Sequence, residues 1–340
     1  MTTVTTTEHA FAPINPEPPR DRWGRPLIIP PDGGKPTAYT RCTTYVDVLE
    51  DKYNLQKWMQ RMVAVGIAQR PDLHLSAASM ASDPDAHKKP LNELCEQAVE
   101  AAKGSAKATI GSALHAIVER INLGVDPGIV PAEYQRHIDN YRATVSAAGF
   151  VPVHVERFTV QDDLRVGGTP DLIAEIAGVD GLVVLDLKTG PSTLRYGSLK
   201  VAMQLAVYAH SQLYDASNGT RTPIEGLRTD KGVVVALDSG TAECSLHIVD
   251  LVAGWEAVQV AAQVRAWRAR KDLIAQWPVE VAAPDPVTPA VAPEVSRALL
   301  AAIAESASRE ALRELWSAAG EAWTEEHTAA AEKRIAQLAA

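Results

Sequence analysis

Hydrophobic positions repeat with a helical period in the first half of the chain. Apolar residues recur at helical spacing in four segments, residues 43–69, 91–102, 109–123 and 131–149. We expect Thr109 to cap the third helix, and Gly124 and Gly149 to end the third and fourth helices. The polar stretch 70–90 is predicted to be a break between the first two helices.

In the middle of the chain the hydrophobic period changes to alternation, which is typical of strands. Five strand segments are predicted, residues 151–160, 165–176, 181–189, 231–238 and 242–250. A helix is predicted before the last two strands, over residues 198–216, and another after them, over 254–277. This order predicts an α/β (α+β) fold class, with a small mixed central β-sheet flanked by helices.

Both ends of the chain differ from this body. Residues 1–38 hold eight prolines and predict an extended arm, and residues 278–293 are rich in proline and alanine, as in a linker. Residues 294–340 predict a small helical C-terminal module of about three short helices, two of which Ser308 and Thr324 can cap. Residues 39–277 are left as the main domain.

Composition excludes several classes of protein. No run of about 18 apolar residues occurs, so no membrane span is expected. The N-terminus has no basic start followed by an apolar core, so we expect no signal peptide and a cytoplasmic protein. The three cysteines are far apart, which argues against a disulfide framework or a structural zinc site. A net charge of −9 argues against broad basic patches.

Charged residues in an otherwise apolar strand are the main chemical feature of the sequence. Asp186 and Lys188 are two apart and therefore point to one face of the strand, while Val183, Leu185 and Leu187 point to the other. If Ile176 pairs near Leu182 across the turn, Asp171 lies opposite residue 186 or 187. We expect the Asp–Lys face to look into a cleft.

Two like charges on neighbouring strands repel each other. A divalent cation between Asp171 and Asp186 removes this repulsion, and hard oxygen ligands favour Mg²⁺ or Mn²⁺. Lys188 could then orient a metal-bound water or stabilise charge on a phosphate. The alternative is that Asp186 and Lys188 form an exposed pair on an edge strand, with Asp171 in a turn.

Two helices carry further candidates. His115 and Glu119 are four apart on the helix "GSALHAIVERI" and so share a face. Gln204 and Tyr208 are also four apart, with Gln212 further on. The ordinary interpretation is a structural histidine and a solvent-facing polar stripe, and the functional one is that these groups contact the metal, the lysine or a phosphate.

The segments "GSALHAIVE", "GGTPDLI", "VVLDLKTG" and "QLAVY", in this order, resemble the PD-(D/E)XK nuclease superfamily. The likeness is greatest to the branch of the RecB nuclease domain, the CRISPR-adaptation exonucleases and the phage recombination exonucleases. It covers roughly residues 105–215, with weaker likeness in "YTRCTTYVDVLE" upstream. It implies a restriction-endonuclease-like core.

The resemblance also implies roles for individual residues. Asp171, Asp186, the Leu187 carbonyl and His115 would hold Mg²⁺ or Mn²⁺. Lys188 would position the attacking water, Gln204 and Tyr208 would steady the lysine and the substrate strand, and Glu119 would be an outer-shell carboxylate. Many relatives hold an iron–sulfur cluster with four cysteines, which this chain lacks, so we expect no cluster and favour the phage type.

These expectations imply a Mg²⁺-dependent DNA exonuclease that resects linear duplex ends for recombination. Two alternatives stay open: a structure- or sequence-specific DNA endonuclease on the same core, and an inactive DNA-binding or assembly protein. Enzymes of the first kind often work with a single-strand annealing recombinase, for which residues 294–340 are a candidate docking module. A homo-oligomer is also compatible with this class. If the gene is phage-borne, the protein acts in the cytoplasm of the bacterial host.

Overall fold

The computed structural model describes residues 17–102, 106–190, 193–274, 277 and 293–339. Its contacts divide the chain into two compact units, one ending at Ala269 and the other beginning at Arg270. The predicted linker 278–293 lies outside the described residues, except that Pro293 begins a helix. Among the described helices, none is both long and apolar enough to cross a membrane.

The first unit contains nine helices and twelve strands among the residues described. The helices are α1 Cys42–Val46, α2 Tyr53–Gln69, α3 Pro71–Met80, α4 Lys88–Ala101, α5 Ala106–Asn122, α6 Ala132–Ala147, α7 Thr193–Tyr196, α8 Ser198–Ala209 and α9 Leu251–Ala269. The strands are β1 Leu27–Ile28, β2 Thr37–Ala38, β3 Thr40–Arg41, β4 Val151–Val155, β5 Thr159–Gln161, β6 Val166–Gly168, β7 Leu172–Glu175, β8 Val183–Lys188, β9 Gln212–Tyr214, β10 Arg221–Thr222, β11 Lys231–Leu237 and β12 Cys244–Asp250.

The central sheet has five strands in the order β12-β11-β8-β7-β4. Strands β8 and β11 run parallel, and the other neighbours are antiparallel. Strand β8 lies in the middle, and its first five residues are buried. Its two faces belong to separate cores, with Val184 among residues of α8 and α9, and Leu185 among residues of α5 and α6. The predicted α/β class with a mixed sheet is confirmed.

A second sheet, in the order β10-β9-β5-β6-β3, was not predicted. Each of its strands has only two or three residues, which is too short for alternation to be visible. Two predicted strands are each two strands in the structure. The segment 151–160 forms β4 and β5, and the segment 165–176 forms β6 and β7.

The helix after the Asp–Lys strand is shorter and more buried than predicted. The expected helix 198–216 ends at Ala209, and Gln212 begins β9, so Gln212 does not extend the polar stripe. Gln204 and Tyr208 are both buried, and the solvent-face interpretation is therefore wrong for them. Helix α9 covers α8 at Gly254, where a Cβ atom would collide with the Ala202 carbonyl oxygen.

Three other helix boundaries differ from the predictions. The expected break at 70–90 contains α3, whose one buried residue, Leu73, packs with Leu94 and Ala98 of α4. Thr109 lies inside α5 and does not cap it, because the helix begins at Ala106. Helix α9 ends at Ala269, eight residues before the predicted end at Trp277.

The described part of the proline-rich arm is folded. Strands β1 and β2 form a hairpin within the predicted arm, and Ile28 and Tyr39 are buried against Phe158, Val160 and Tyr214. The Tyr39 hydroxyl donates to Asp162 Oδ1 at 2.7 Å. Strand β3 then pairs with β6, which joins this N-terminal hairpin to the second sheet.

The second unit is mainly helical over its described residues 293–339. It contains α10 Pro293–Glu305, α11 Arg309–Ala319 and α12 Glu325–Leu338. Ser308 Oγ accepts from the Ala311 amide and caps α11, and Thr324 with His327 forms a capping box on α12. Its predicted role as a docking module stays a prediction.

We expect Gly254→Ala to destabilise the protein, because the added methyl group must push α9 away from the Ala202 carbonyl on α8. Overpacking of this kind costs about 1–3 kcal/mol, against about 1 kcal/mol gained from helix propensity. Urea unfolding measures the change, with Gln259→Ala on the exposed side of α9 as the control. A Gly254→Ala protein at least as stable as the parent would contradict this packing.

Candidate active site

The two aspartates predicted to face each other do so across the β7–β8 pair. Leu172 is paired with Leu185 and Ile173 with Val184, so the next position places Asp171 opposite Asp186. The hairpin is displaced by one residue from the pairing assumed from the sequence, but the predicted partner, residue 186 or 187, is correct. Asp171 precedes β7, and Asp186 lies near the end of β8.

The Asp186 carboxylate is buried, with 4% of its side chain exposed. Its Oδ2 atom lies 2.6 Å from the Lys188 ammonium as an ion pair, but no group in the described ranges donates a hydrogen bond of sound geometry to it. Oδ1 receives a long hydrogen bond of 3.3 Å from Gln204 Nε2. Burial raises the pKa of Asp186 to about 6; the Lys188 charge opposes this shift, and the Asp171 charge reinforces it.

The edge-strand interpretation of Asp186 is wrong, and its carboxylate is buried rather than exposed. Strand β8 has neighbours on both sides, β7 and β11. Alternation does place Asp186 and Lys188 on one face, but α8 covers the aspartate there. Lys188 extends further out, and 23% of its side chain is exposed. The lysine is therefore the member of this pair that solvent reaches more readily.

Asp171 bridges the two strands through its side chain. Its Oδ2 atom accepts a hydrogen bond of 2.7 Å from the Leu187 amide, which ties the start of β7 to the end of β8. Burial raises the pKa of this carboxyl, and the negative charge of Glu119 adds to the effect, whereas the Leu187 amide lowers it. One quarter of the side chain, 25%, remains exposed.

Helix α5 brings His115 to the same place. Its Nδ1 atom lies 3.6 Å from Asp171 Oδ2, and the ring interacts with the Leu187 backbone. Burial lowers the pKa of His115, so the ring is neutral at pH 7. Gly111, one turn earlier, permits this approach, since a Cβ there would lie 2.5 Å from Thr189 Oγ1. The structure thus brings His115 next to the aspartates.

Helix α8 supplies a buried polar chain below Asp186. Tyr208 is hydrogen-bonded to Gln204, which in turn donates to Asp186. Burial raises the pKa of Tyr208 well above its usual value, so its hydroxyl stays protonated. Both residues are buried, so they contact the aspartate from inside the protein.

A small cavity of about 20 Å³ lies among these groups, which is enough for one water-sized occupant. Four carboxylates, those of Glu119, Glu156, Asp171 and Asp186, line it together with His115. The predicted site residues His115, Glu119, Asp171, Asp186 and Leu187 therefore meet at one point.

Glu156 is the residue that the sequence analysis missed. It follows β4, has a positive φ of 47°, and its amide donates to the Asp171 carbonyl at 3.3 Å. Burial raises the pKa of Glu156 to about 8, and the charges of Asp171 and Glu119 add to this effect. The β4–β7 pairing shifts register between Pro152 and His154, so counting along the strands does not place Glu156 opposite Asp171.

The donor atoms fit a divalent cation. The cavity is lined by carboxylates, whose oxygens are the ligands that Mg²⁺ and Mn²⁺ prefer, and the buried Asp186 Oδ2 lacks a hydrogen bond. Within the described ranges, no three His, Cys, Asp or Glu side chains are already arranged as a ligand set. Asp186 contacts Lys188 and Gln204 instead, and Asp171 accepts from the Leu187 amide.

We expect Asp186→Asn to raise the thermal midpoint of the metal-free protein by several degrees at pH 7.5. The native pKa of about 6 exceeds the usual aspartate value of 3.8, so the native state holds this proton more tightly than the unfolded chain. Stability is therefore lost as pH rises from about 4 to about 6, by roughly 2–3 kcal/mol at about 1.4 kcal/mol per pKa unit.

The gain from Asp186→Asn should shrink when the melt, in chelator, is repeated at pH 5. Asp72→Asn is the control, since Asp72 is exposed and Arg70 lowers its pKa, and it should give no gain. A lower midpoint for Asp186→Asn at pH 7.5 would mean that the ion pair with Lys188 outweighs the cost of burial.

Comparison with known proteins agrees with this geometry. No curated protein matches the chain. A family model described as the PD-(D/E)XK nuclease superfamily matches residues 72–334, which is more than half of the 340 residues and includes every predicted site residue. Since the paired aspartates and the lysine stand on neighbouring strands of the mixed sheet, the match and the structure support one conclusion: this chain belongs to the PD-(D/E)XK nuclease superfamily.

Proposed function

We propose that the protein is a Mg²⁺- or Mn²⁺-dependent exonuclease that hydrolyses phosphodiester bonds and resects linear DNA ends for recombination. The observation that carries this proposal is the Asp171–Asp186 pair with Lys188 Nζ 2.6 Å from Asp186 Oδ2. The absence of cysteine spacing for an iron–sulfur cluster favours the simpler phage-type enzymes, acting in the cytoplasm of a bacterial host.

The residues of the chain would divide the work of hydrolysis. Asp171, Asp186, the Leu187 carbonyl and His115 would hold the cation, which when bound supplies a water of lowered pKa and polarises the phosphoryl oxygen. Lys188, partly exposed beside Asp186, would orient the attacking water and stabilise negative charge developing on the phosphate. Gln204, with Tyr208 behind it, would fix the orientation of the Asp186 carboxylate.

His115 and Glu119 are suited to positions beside the cation. The His115 ring is neutral at pH 7, because burial lowers its pKa, and it can therefore accept a hydrogen bond or bind a cation. Glu119 lines the same cavity four residues along α5 and would act as an outer-shell carboxylate. Glu156, whose pKa is raised to about 8, is protonated at pH 7.

The test of this function compares linear DNA with a covalently closed circle. A linear duplex labelled at either end should shorten progressively in Mg²⁺ and stay intact in chelator, while the closed circle should remain whole. Nicking or linearisation of the circle would favour the endonuclease alternative. No degradation of any DNA in Mg²⁺ or Mn²⁺, together with salt-sensitive binding, would favour an inactive DNA-binding protein.

We expect Lys188→Ala to lower the cleavage rate at least ~100-fold while Mn²⁺ binding is retained, because the lysine stabilises charge and does not bind the cation. Calorimetry measures metal binding, and single-turnover cleavage measures the rate. Asp186→Asn should lose both Mn²⁺ binding and cleavage. Lys231→Ala, an exposed lysine at the opposite end of β11, is the control. Cleavage at the parent rate by Lys188→Ala would show that the assigned role is wrong.

A further inference from the structure

We call the cavity lined by Asp171 and Asp186 the acidic cavity. A second cleft, of about 410 Å³, is lined in part by residues that are close to Asp171 in sequence. Gly167, Gly168 and Thr169 line it, and Asp171, two residues later, lines the acidic cavity. Arg20 and Arg41 from the N-terminal hairpin region also line the second cleft. We name this feature the arginine cleft.

The N-terminal region is positively charged in an acidic protein. Residues 17–41 hold five basic and three acidic side chains, whereas the whole chain has a net charge of −9. The Arg41 side chain is exposed and forms no ion pair or hydrogen bond with any residue that the structure describes. The Arg20 guanidinium lies 3.0 Å from the Glu17 carboxylate and donates to the Gly24 carbonyl at 3.2 Å. Arg41 is therefore available to an anion.

Several other basic side chains already have partners within the protein. Lys200 forms ion pairs with Asp47 and Glu50, and Arg270 forms one with Asp272. Arg265 lies over the Tyr45 ring, 4.7 Å from its centroid, and donates to Thr40. These three side chains have partners within the protein, whereas the Arg41 side chain has no ion pair or side-chain hydrogen bond among the residues that the structure describes.

The position of Arg41 relative to the aspartates is fixed by the second sheet. Strand β3 pairs with β6, which places Arg41 beside Gly167. Gly167 is four residues from Asp171, so the connecting chain spans at most about 14 Å at ~3.5 Å per residue. The exposed Trp23, with the Arg22 guanidinium 4.0 Å from its ring centroid and that of Arg25 at 5.0 Å, stands next to Gly24 on the rim.

We propose that the arginine cleft binds the phosphate backbone of the DNA strand being cut, close to the phosphate that occupies the acidic cavity. This proposal rests on the proposed function, since it takes DNA as the substrate. Arg41 would contact a phosphate directly, and Arg20, which is paired with Glu17, lies in the same cleft. The contact is to the backbone and is independent of base sequence.

Binding measured without cleavage tests this proposal. The affinity for a fluorescent linear duplex is measured by anisotropy in chelator over a range of KCl concentrations. We expect Arg41→Gln to weaken binding about 3- to 10-fold. The magnitude of the slope of log K against log [KCl] should fall by about 0.9, which corresponds to the loss of one phosphate contact. Arg41→Lys keeps the charge and should retain nearly the parent slope, which separates a charge effect from a structural one.

Lys231→Gln is the matched control, because it removes one exposed positive charge at the far end of the sheet. It lies five residues before Ala236, which pairs with Lys188, or about 17 Å along β11 at ~3.3 Å per residue. Its slope should equal that of the parent. If Arg41→Gln also keeps the parent affinity and slope while the parent degrades DNA, the proposal is overturned and the proposed function stands. If the parent neither binds nor degrades DNA, both fail.

Discussion

The site depends on the burial of one carboxylate, that of Asp186, in the middle strand of a mixed sheet. Taking a charge out of water is costly unless it is paired, and here the pairing is incomplete. Lys188 neutralises Oδ2 as an ion pair, Gln204 gives Oδ1 one long hydrogen bond, and the opposing Asp171 adds repulsion. Burial raises the pKa of Asp186 to about 6 as a result. A positive charge bound near Asp186 would therefore stabilise its ionised form.

Close packing in two places keeps this unfavourable group where it is. On one face of β8, Gly254 lets α9 press against α8, so that Gln204 and Tyr208 are confined below Asp186. On the other side, Gly111 lets α5 approach Thr189, which brings His115 to Asp171. A larger side chain at Gly254 would push α9 away from α8, and one at Gly111 would force the Thr189 side chain to move. The geometry of the carboxylates is therefore maintained by the cores around them, since the interactions among the charged groups are partly repulsive.

The Asp171–Asp186 pair could be predicted because it depends on a short hairpin and on strand alternation, which are local properties. The burial of Asp186 could not, since it results from α8 and α9 packing on the sheet, and these helices lie 12 or more residues further along the chain. Glu156 escaped notice for a related reason, because a register shift in β4 changes which residue faces Asp171. Strands of two or three residues and α3, which has a single buried residue, carry too little periodicity to predict. The coarse fold class survived these errors because it needs only the order of the long elements.

The charge distribution explains how an acidic chain can act on a polyanion. Four carboxylates line the acidic cavity, and without a counter-charge they would repel a phosphodiester rather than bind it. A cation in the cavity reverses the local sign, but it acts over a short distance because salt screens exposed charges beyond about 8–10 Å. Phosphates further along the strand need fixed positive groups of their own. The N-terminal hairpin region, with an excess of two basic side chains over residues 17–41, would supply them, and its Arg41 pairs with Gly167, four residues before Asp171. Cleavage and strand binding would then depend on separate charges, one brought by the cation and one fixed in the protein, so each can be altered without the other.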